Sequence, residues 1–161
     1  MNFWTQTCLC ELILEICNTQ MSDFGHWSSE LLTENFDPLN FFGFVYRITR
    51  VDTGRSYIGK KQLVFTRRKK VKGRVNRKHV KKESDWKDYT GSCDELNEEI
   101  KLLGKEAFNF DIIKFCLTKR ELGYTETLYQ FKEEVLSAKF PDGTRKYYNS
   151  NIMNRWFVLK E

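Results

Sequence analysis

Alternating polar and apolar side chains predict two short strands in the first half of the chain. Residues 44–51 are β-branched and aromatic with a period of two, and residues 56–59 resume the pattern after the turn sequence 52–55. The two strands therefore predict a hairpin. With a four-residue loop, residue 51 faces residue 56, and one face carries four residues, Tyr46, Ile48, Tyr57 and Gly59. A loop one residue longer or shorter would separate the two tyrosines.

A first helix is predicted after this hairpin. Ser92 and Glu95 have the spacing of a capping box, which indicates a helix over residues 93–103. Gly104 ends it in the manner of a helix C-terminus.

A third strand and a second helix complete the predicted core. Residues 108–115 are rich in Phe and Ile and indicate a strand that is buried on at least one face. Thr118 and Glu121 form a second capping box, which opens a helix through about residue 136. Its inward face is assigned to Leu122, Leu128 or Tyr129, and Val135. The order strand, strand, helix, strand, helix predicts an α+β domain, a small three-stranded antiparallel sheet flanked by helices.

Charge divides the chain into two parts. Residues 1–40 contain no Lys or Arg and six acids, whereas residues 41–161 carry all 27 bases against the other 16 acids, or +11. We interpret residues 1–40 as an acidic N-terminal extension and residues 41–161 as one basic domain with a polyanionic partner.

Basic residues are densest between Arg67 and Lys82, where ten of sixteen residues are Lys or Arg. Such a run favours sequence-independent, salt-sensitive contact with nucleic-acid phosphates, and a solvated basic loop without a specific role is the alternative. The predicted DNA-binding residues are Arg68, Lys69, Lys70, Lys72, Arg74, Arg77, Lys78, His79, Lys81 and Lys82.

Cysteines and the N-terminus indicate a cytosolic location. The five cysteines include no Cys-x-x-Cys pair, so neither a zinc site nor a disulfide framework is predicted. The apolar N-terminus lacks a basic n-region and is interrupted by Glu11 and Glu15, so it is predicted to be neither a signal peptide nor a membrane span. Because Met21 could start the chain, residues 1–20 are interpreted as an upstream start-site artefact.

Five elements in a fixed order carry a resemblance to a known family. Two tyrosine motifs eleven residues apart are followed by an Arg eight positions after the second motif's glycine, a Glu in a later helix and a Tyr-Asn pair: Tyr46, Tyr57 with Gly59, Arg67, Glu126, and Tyr148 with Asn149. This arrangement resembles the GIY-YIG nuclease superfamily over about residues 41–153. It is most similar to the freestanding phage endonucleases of the Seg type, which are homing-type enzymes.

The resemblance implies an endonuclease that hydrolyses DNA phosphodiester bonds in a host cytoplasm. Glu126 would hold one Mg²⁺ ion, which Mn²⁺ could replace, and Arg67 would bind the scissile phosphate. Tyr46 would act as general base and Tyr57 would position the water or the phosphate. Because a free tyrosine has a pKa of about 10, the base role requires neighbouring cations that lower it, and Lys60 is placed to contribute.

Three features limit what the resemblance implies. Phe44 stands where the first motif has a glycine, and Arg68 competes with Arg67 for the catalytic position, since a one-residue slip in a basic run leaves no trace in a sequence. Asn149 is expected to orient the site by hydrogen bonding near the metal or the catalytic tyrosine. Only twelve residues follow Asn149, so specificity for double-stranded DNA must come from the basic insertion 67–82, from self-association, or be low. No protein partner is implied, and a non-catalytic DNA- or RNA-binding module is the alternative function.

Overall fold

A computed structural model describes residues 24–70, 72–73 and 78–158. The predicted start-site artefact, residues 1–20, and the predicted DNA contacts Arg74 and Arg77 lie outside the described residues. The side chains of Lys69, Lys78 and His79 lie outside them as well. In the part of the chain that is described, no helix is long and apolar enough to cross a membrane.

The centre of the fold is a three-stranded antiparallel sheet, which confirms the predicted α+β class. Its strands are β1 (Gly43–Arg50), β2 (Ser56–Gln62) and β5 (Phe108–Cys116), in the spatial order β2-β1-β5. Strand β2 is therefore an edge strand of this sheet. The segment around Tyr148 runs along its free edge, where the Tyr148 backbone N–H donates to the Ser56 carbonyl at 2.9 Å.

The register of the β1–β2 hairpin differs from the predicted one by two residues. Thr49 faces Ser56, Ile48 faces Tyr57 and Tyr46 faces Gly59. The turn closes earlier because Gly54, at φ +71, donates its N–H to the Arg50 carbonyl at 2.8 Å. A shift of two preserves the alternation of side chains, so the predicted common face of the two tyrosines is confirmed.

The helices flank the sheet on opposite faces. Helix α1 (Asp94–Leu103) lies on the face that carries Tyr46, and helix α2 (Lys119–Lys132) lies on the face that carries Ile58. The first core cluster contains Trp27, Phe44, Tyr46, Ile48, Leu63, Val64, Trp86, Leu96, Ile100, Phe108, Phe110, Ile112, Phe115 and Tyr148. The second contains Val45, Ile58, Cys116, Leu122, Val135, Tyr147 and Ile152. Because Trp27 is buried in the first cluster, the described end of the predicted 1–40 extension is packed against the domain.

The capping box predicted for α1 is wrong. Cys93 occupies the N-cap position and its side chain makes no capping hydrogen bond, while Ser92 pairs with Tyr57 and Glu95 pairs with Arg55. Gly104 ends the helix as predicted.

The cap predicted for α2 is confirmed. The Thr118 hydroxyl accepts from the Glu121 backbone N–H at 3.1 Å, and the Glu121 carboxylate accepts from the Leu117 N–H. Helix α2 ends at Lys132, four residues before the predicted end, although Val135 is buried as expected. Tyr129 is half-buried and Leu128 is exposed, which settles the choice between them for the inward face.

A second antiparallel pair was not predicted. Strands β3 (Val64–Lys69) and β4 (Lys78–Glu83) form a hairpin from the basic run, with Arg67 facing Val80. A short pair, β6 (Asn151–Ile152) and β7 (Trp156–Phe157), follows near the C-terminus. The charged side chains of the basic run hide any polar and apolar alternation, and this is why the pattern predicted no strands there.

We expect His26 to make the stability of the fold pH-dependent. Its ring accepts from Lys105 at 3.3 Å through Nδ1 and donates to the Tyr89 carbonyl at 3.0 Å through Nε2. Burial lowers the pKa of His26 below its ordinary 6.5, and Lys105 lowers it further, although the hydrogen bond to Tyr89 and the charge of Asp88 oppose this. The neutral ring therefore stabilises the fold at pH values above about 6.5, and this contribution is lost as the pH falls through the lower folded-state pKa.

Chemical denaturation measures this effect: as the pH is lowered from 7.5 to 5, the denaturant concentration at the unfolding midpoint should fall. In the Lys105→Met variant the fall should be smaller, because the repulsion between the two cations is gone. An identical fall in His26→Gln and the wild-type protein would contradict the assignment.

Candidate active site

A polar pocket of about 440 Å³ lies at the free edge of β2. Four of the six predicted catalytic residues line it: Tyr57, Lys60, Glu126 and Asn149. Strand β2 supplies the first two, α2 supplies Glu126, and the segment after Tyr148 supplies Asn149. The sheet edge thus brings together residues that are up to 92 positions apart in the sequence.

Lys60 and Glu126 form an ion pair at this edge. The Lys60 ammonium donates to Glu126 Oε2 at 2.7 Å, and the Glu126 side chain is only 15% exposed. A carboxylate that is largely withdrawn from water needs a cation beside it. Glu126 is therefore a cation-binding position, and Lys60 supplies the cation in this structure.

Tyr57 presents its phenol to the pocket and is held by Ser92. The two hydroxyl oxygens are 3.0 Å apart. Burial raises the pKa of Tyr57 to about 12, and the Ser92 hydrogen bond opposes that rise. At neutral pH the phenol is protonated and can donate a hydrogen bond to an oxygen in the pocket.

Tyr46 lies behind Tyr57 and is completely buried. Its ring centre is 6.1 Å from that of Tyr57 and 6.0 Å from that of Tyr89. A Cβ at Gly59 would come within 2.5 Å of the Tyr46 hydroxyl, so this position of the second tyrosine motif must be a glycine. Among the described residues, that hydroxyl has no hydrogen-bond partner with acceptable geometry.

The electrostatic surroundings of Tyr46 oppose the predicted lowering of its pKa. Burial raises the pKa of this phenol well above 10, and the neighbouring Tyr57 and Tyr89 raise it further. Tyr46 is therefore protonated at neutral pH in this structure. Its role as general base stays a prediction, and that role requires both access to the pocket and a lower pKa.

Asn149 hydrogen-bonds to the backbone of β2, the strand that carries Tyr57. Its Oδ1 accepts from the Ile58 N–H at 3.0 Å, and its Nδ2 donates to the Ile58 carbonyl at 2.8 Å. The side chain thus acts as a strand partner where the backbone of the 146–149 segment leaves β2. It fixes the residue next to Tyr57, so the contact runs through the backbone rather than through the phenol.

Gln130 and Ser92 belong to the site although the sequence patterns did not single them out. Gln130 lines the pocket one helical turn after Glu126, and its amide donates to the Ile58 carbonyl at 3.1 Å. The i, i+4 spacing from Glu126 was a signal that could have found Gln130. Ser92 had been assigned to a helix cap, and only the three-dimensional contact with Tyr57 shows its other use.

Arg67 is not brought together with these residues in the pocket. It is exposed on β3 and is not among the residues that line the pocket. Arg67 and Arg68 point to opposite faces of the β3–β4 hairpin because they are consecutive strand residues. Choosing Arg67 or Arg68 as the catalytic arginine therefore means choosing which face of the β3–β4 hairpin meets the phosphate. Other predicted DNA contacts whose side chains are described are also exposed: Lys70, Lys72, Lys81 and Lys82.

The donor atoms of the pocket fit a lightly ligated Mg²⁺ ion. Within the described residues there is no group of three or more His, Cys, Asp and Glu side chains that could hold a metal. Mg²⁺ keeps several waters and binds through one or two carboxylates plus phosphate oxygens. Glu126 and Asp94, which both line the pocket, supply that number of carboxylates.

Comparison with known proteins identifies one family. Residues 27–152 match the family model described as "Putative endonuclease segE, GIY-YIG domain". No curated protein and no solved structure matches the chain. The matched range contains every residue of the pocket described above except Met153 and Asn154.

Proposed function

This chain belongs to the family of Seg-type GIY-YIG endonucleases, and we propose that it hydrolyses phosphodiester bonds of double-stranded DNA with a divalent metal ion. The observation that carries the proposal is the convergence of Tyr57, Lys60, Glu126 and Asn149 on one polar pocket. We also propose that it is a phage-encoded, homing-type enzyme that acts in a host cytoplasm, as its resemblance to the Seg-type enzymes implies.

Glu126 is proposed as the metal ligand, with Mg²⁺ as the ion and Mn²⁺ as its substitute. When bound, the ion would offset negative charge on the phosphate oxygens and assist ionisation of the attacking water. The Lys60 ammonium lies 2.7 Å from the Glu126 carboxylate oxygen. With the ion at Glu126, Lys60 would give up this contact and bind the substrate instead. The pocket therefore keeps one cation at Glu126 in either state.

The two tyrosines are proposed to act at different depths. Tyr57 would donate from the pocket wall to the phosphate or the attacking water, as its protonated state allows. Once substrate binding uncovers Tyr46 and cations lower its pKa, its phenol would release its proton to solvent, and the resulting phenolate would accept the proton of the attacking water. Arg67 would bind a phosphate of the same DNA from the β3–β4 hairpin, with Arg68 as the competing position.

Supercoiled plasmid incubated with the purified chain tests this function. We expect relaxed and linear products with Mg²⁺ or Mn²⁺, and intact plasmid when EDTA removes the metal. Binding without cleavage across several salts and metals would instead favour a non-catalytic DNA- or RNA-binding module that uses the basic hairpin. Glu126 argues for the enzyme, because a binding module has no use for a carboxylate that faces phosphates.

Single-turnover cleavage between pH 6.5 and 9.5 tests the tyrosine roles. If Tyr46 is the base, the wild-type rate rises with pH, because the phenolate fraction of Tyr46 grows as the pH approaches the pKa of this phenol. Tyr46→Phe should lower the rate by about 10²–10⁴-fold and remove this rise. Tyr57→Phe should lower the rate but keep the rise.

Tyr124→Phe is the matched control, since this exposed phenol on α2 does not line the pocket. A pH dependence that survives in Tyr46→Phe and disappears in Tyr57→Phe would assign the base to Tyr57.

A further inference from the structure

The basic run forms a two-stranded ribbon that extends the strand of the active site. Residues 64–83 contain ten Lys or Arg and a single acid, Glu83. Strand β3 begins four residues after Lys60, and at most about 25 Å of extended chain separates Lys60 from Arg67. DNA held by this ribbon would therefore lie within reach of the pocket.

The base of the ribbon is fixed to the domain. Leu63, between β2 and β3, is completely buried, and its N–H donates to the Phe42 carbonyl at 2.9 Å. At the end of β4, the Ser84 N–H donates to the Leu63 carbonyl at 2.7 Å. Trp86 donates from its indole to Glu83 at 2.7 Å. The ribbon therefore has a fixed position on the domain, because both of its strands are held by hydrogen bonds at Leu63.

The two faces of the ribbon differ in their relation to the domain. On one face Val64 is buried in the core, and Lys81 donates to the Leu39 carbonyl at 3.3 Å. Strand alternation and the pairing register place four other residues on the opposite face, called here the outer face: Phe65, Arg67, Val80 and Lys82.

The outer face combines cations with exposed apolar groups. Phe65 is 43% exposed and Val80 is 38% exposed, and each lies directly opposite a cation, Lys82 and Arg67 respectively. A solvated basic surface does not need exposed apolar side chains at alternate positions. Cations suit phosphates and guanine edges, and apolar groups suit the thymine methyl group, so the mixture has the chemistry of base-edge contact.

The dimensions of the ribbon fit a DNA groove. Two strands about 4.8 Å apart, each six residues and about 20 Å long, match a major groove that is about 12 Å wide and admits a two-stranded ribbon. We propose that the outer face of the β3–β4 ribbon enters the major groove of double-stranded DNA and selects the cleavage position. The proposal rests on the proposed DNA substrate and gives Arg67 and Lys82 a role in recognition.

Lys81 and Lys82 provide a matched test, because they are adjacent lysines on opposite faces. Binding of the full chain to a mixed-sequence 40-base-pair duplex is measured over a range of salt concentrations for each Lys→Gln variant. Lys82→Gln should weaken binding about fivefold and reduce the salt slope by about 0.9, as for one lost phosphate contact. Lys81→Gln should change affinity less than about twofold, since its ammonium is directed to the Leu39 carbonyl. Equal losses in both variants would overturn the assignment of the outer face.

A second measurement separates sequence selection from charge. Phe65→Ser combined with Val80→Thr keeps every charge, so we expect an unchanged salt slope but a different distribution of cut positions on plasmid, mapped by sequencing the ends. Methyl green, which occupies the major groove, should compete with the wild-type protein, and the minor-groove binder distamycin should not. Unchanged cut positions, or competition by distamycin alone, would overturn the proposal.

Failure of the proposed nuclease function would give a different result from failure of the ribbon proposal. A wild-type protein that never cleaves plasmid would refute the nuclease, while the Lys81 and Lys82 comparison in binding would still test the ribbon. Melting curves of all variants verify that each one is folded.

Discussion

Replacing Glu126 by Gln is expected to abolish cleavage while DNA binding is retained. The amide has nearly the same shape as the carboxylate but lacks its charge, so it would neither hold a divalent ion nor retain the ion pair with Lys60. We expect a loss of at least about 10³-fold in the single-turnover cleavage rate, because transition-state charge would lose its main electrostatic support. Affinity for duplex DNA should stay the same or rise slightly, since one negative charge is removed from the surface that faces phosphates.

Two further variants make this result specific. Glu106→Gln removes the same charge from an exposed position that does not line the pocket, and it should leave the rate unchanged. Lys60→Met also breaks the ion pair but leaves the carboxylate available for a metal. If Glu126 served only as the partner of Lys60, both members of the pair would show the same loss, and raising Mg²⁺ would rescue neither. A wild-type rate in Glu126→Gln would refute the metal site.

The strands of the central sheet could be predicted because their side chains alternate. Burial on one face or both requires β-branched and aromatic residues at regular positions, as in Phe44, Tyr46 and Ile48. The exact pairing could not be predicted, because the turn occupies residues 51–54, one position earlier than the assumed turn 52–55, with Gly54 at a positive φ. The common face of the tyrosines survived, since an error of two residues restores the alternation.

The β3–β4 ribbon could not be predicted from the same signal. Its sequence carries cations on both faces, so no apolar side marks the strands, and only three positions, Val64, Phe65 and Val80, are apolar in its two strands. Its stability comes from ties at its base, such as the Leu63 backbone contacts, which join residues that are distant along the chain. Charge density indicated a phosphate-binding surface. It did not indicate the strands, which place Arg67 and Arg68 on opposite faces of the ribbon.

The site itself could be predicted in part. The order of the motifs identified four residues that the structure brings to one pocket, and the chain's family confirms the class of enzyme. The depth of Tyr46 had no sequence signal, because a buried phenol and an accessible one occupy the same position of a strand pattern. Its raised pKa depends first on burial and then on Tyr57 and Tyr89, which approach from other elements.

Removal of the Asn149 side chain is expected to lower the stability of the fold, and that effect should extend to catalysis. Asn149 is only 3% exposed and makes two hydrogen bonds to the Ile58 backbone. In Asn149→Ala the Ile58 carbonyl keeps its bond from Gln130, but its N–H loses the partner shown here. An orphaned buried donor plus one lost hydrogen bond should lower the free energy of unfolding by about 2–3 kcal/mol.

That loss corresponds to about 5–10 °C in the melting temperature of a chain of this size. Asn109→Ala, on the exposed side of β5, is the control and should change stability by less than about 0.5 kcal/mol. Asn149→Asp separates the two hydrogen bonds, because it keeps the acceptor for the Ile58 N–H but loses the donor and buries a charge. Cleavage measured well below the melting temperature should fall in both Asn149 variants, since β2 positions Tyr57 and Lys60. An Asn149→Ala protein with wild-type stability and reduced cleavage would mean that the side chain acts on the substrate rather than on the strand.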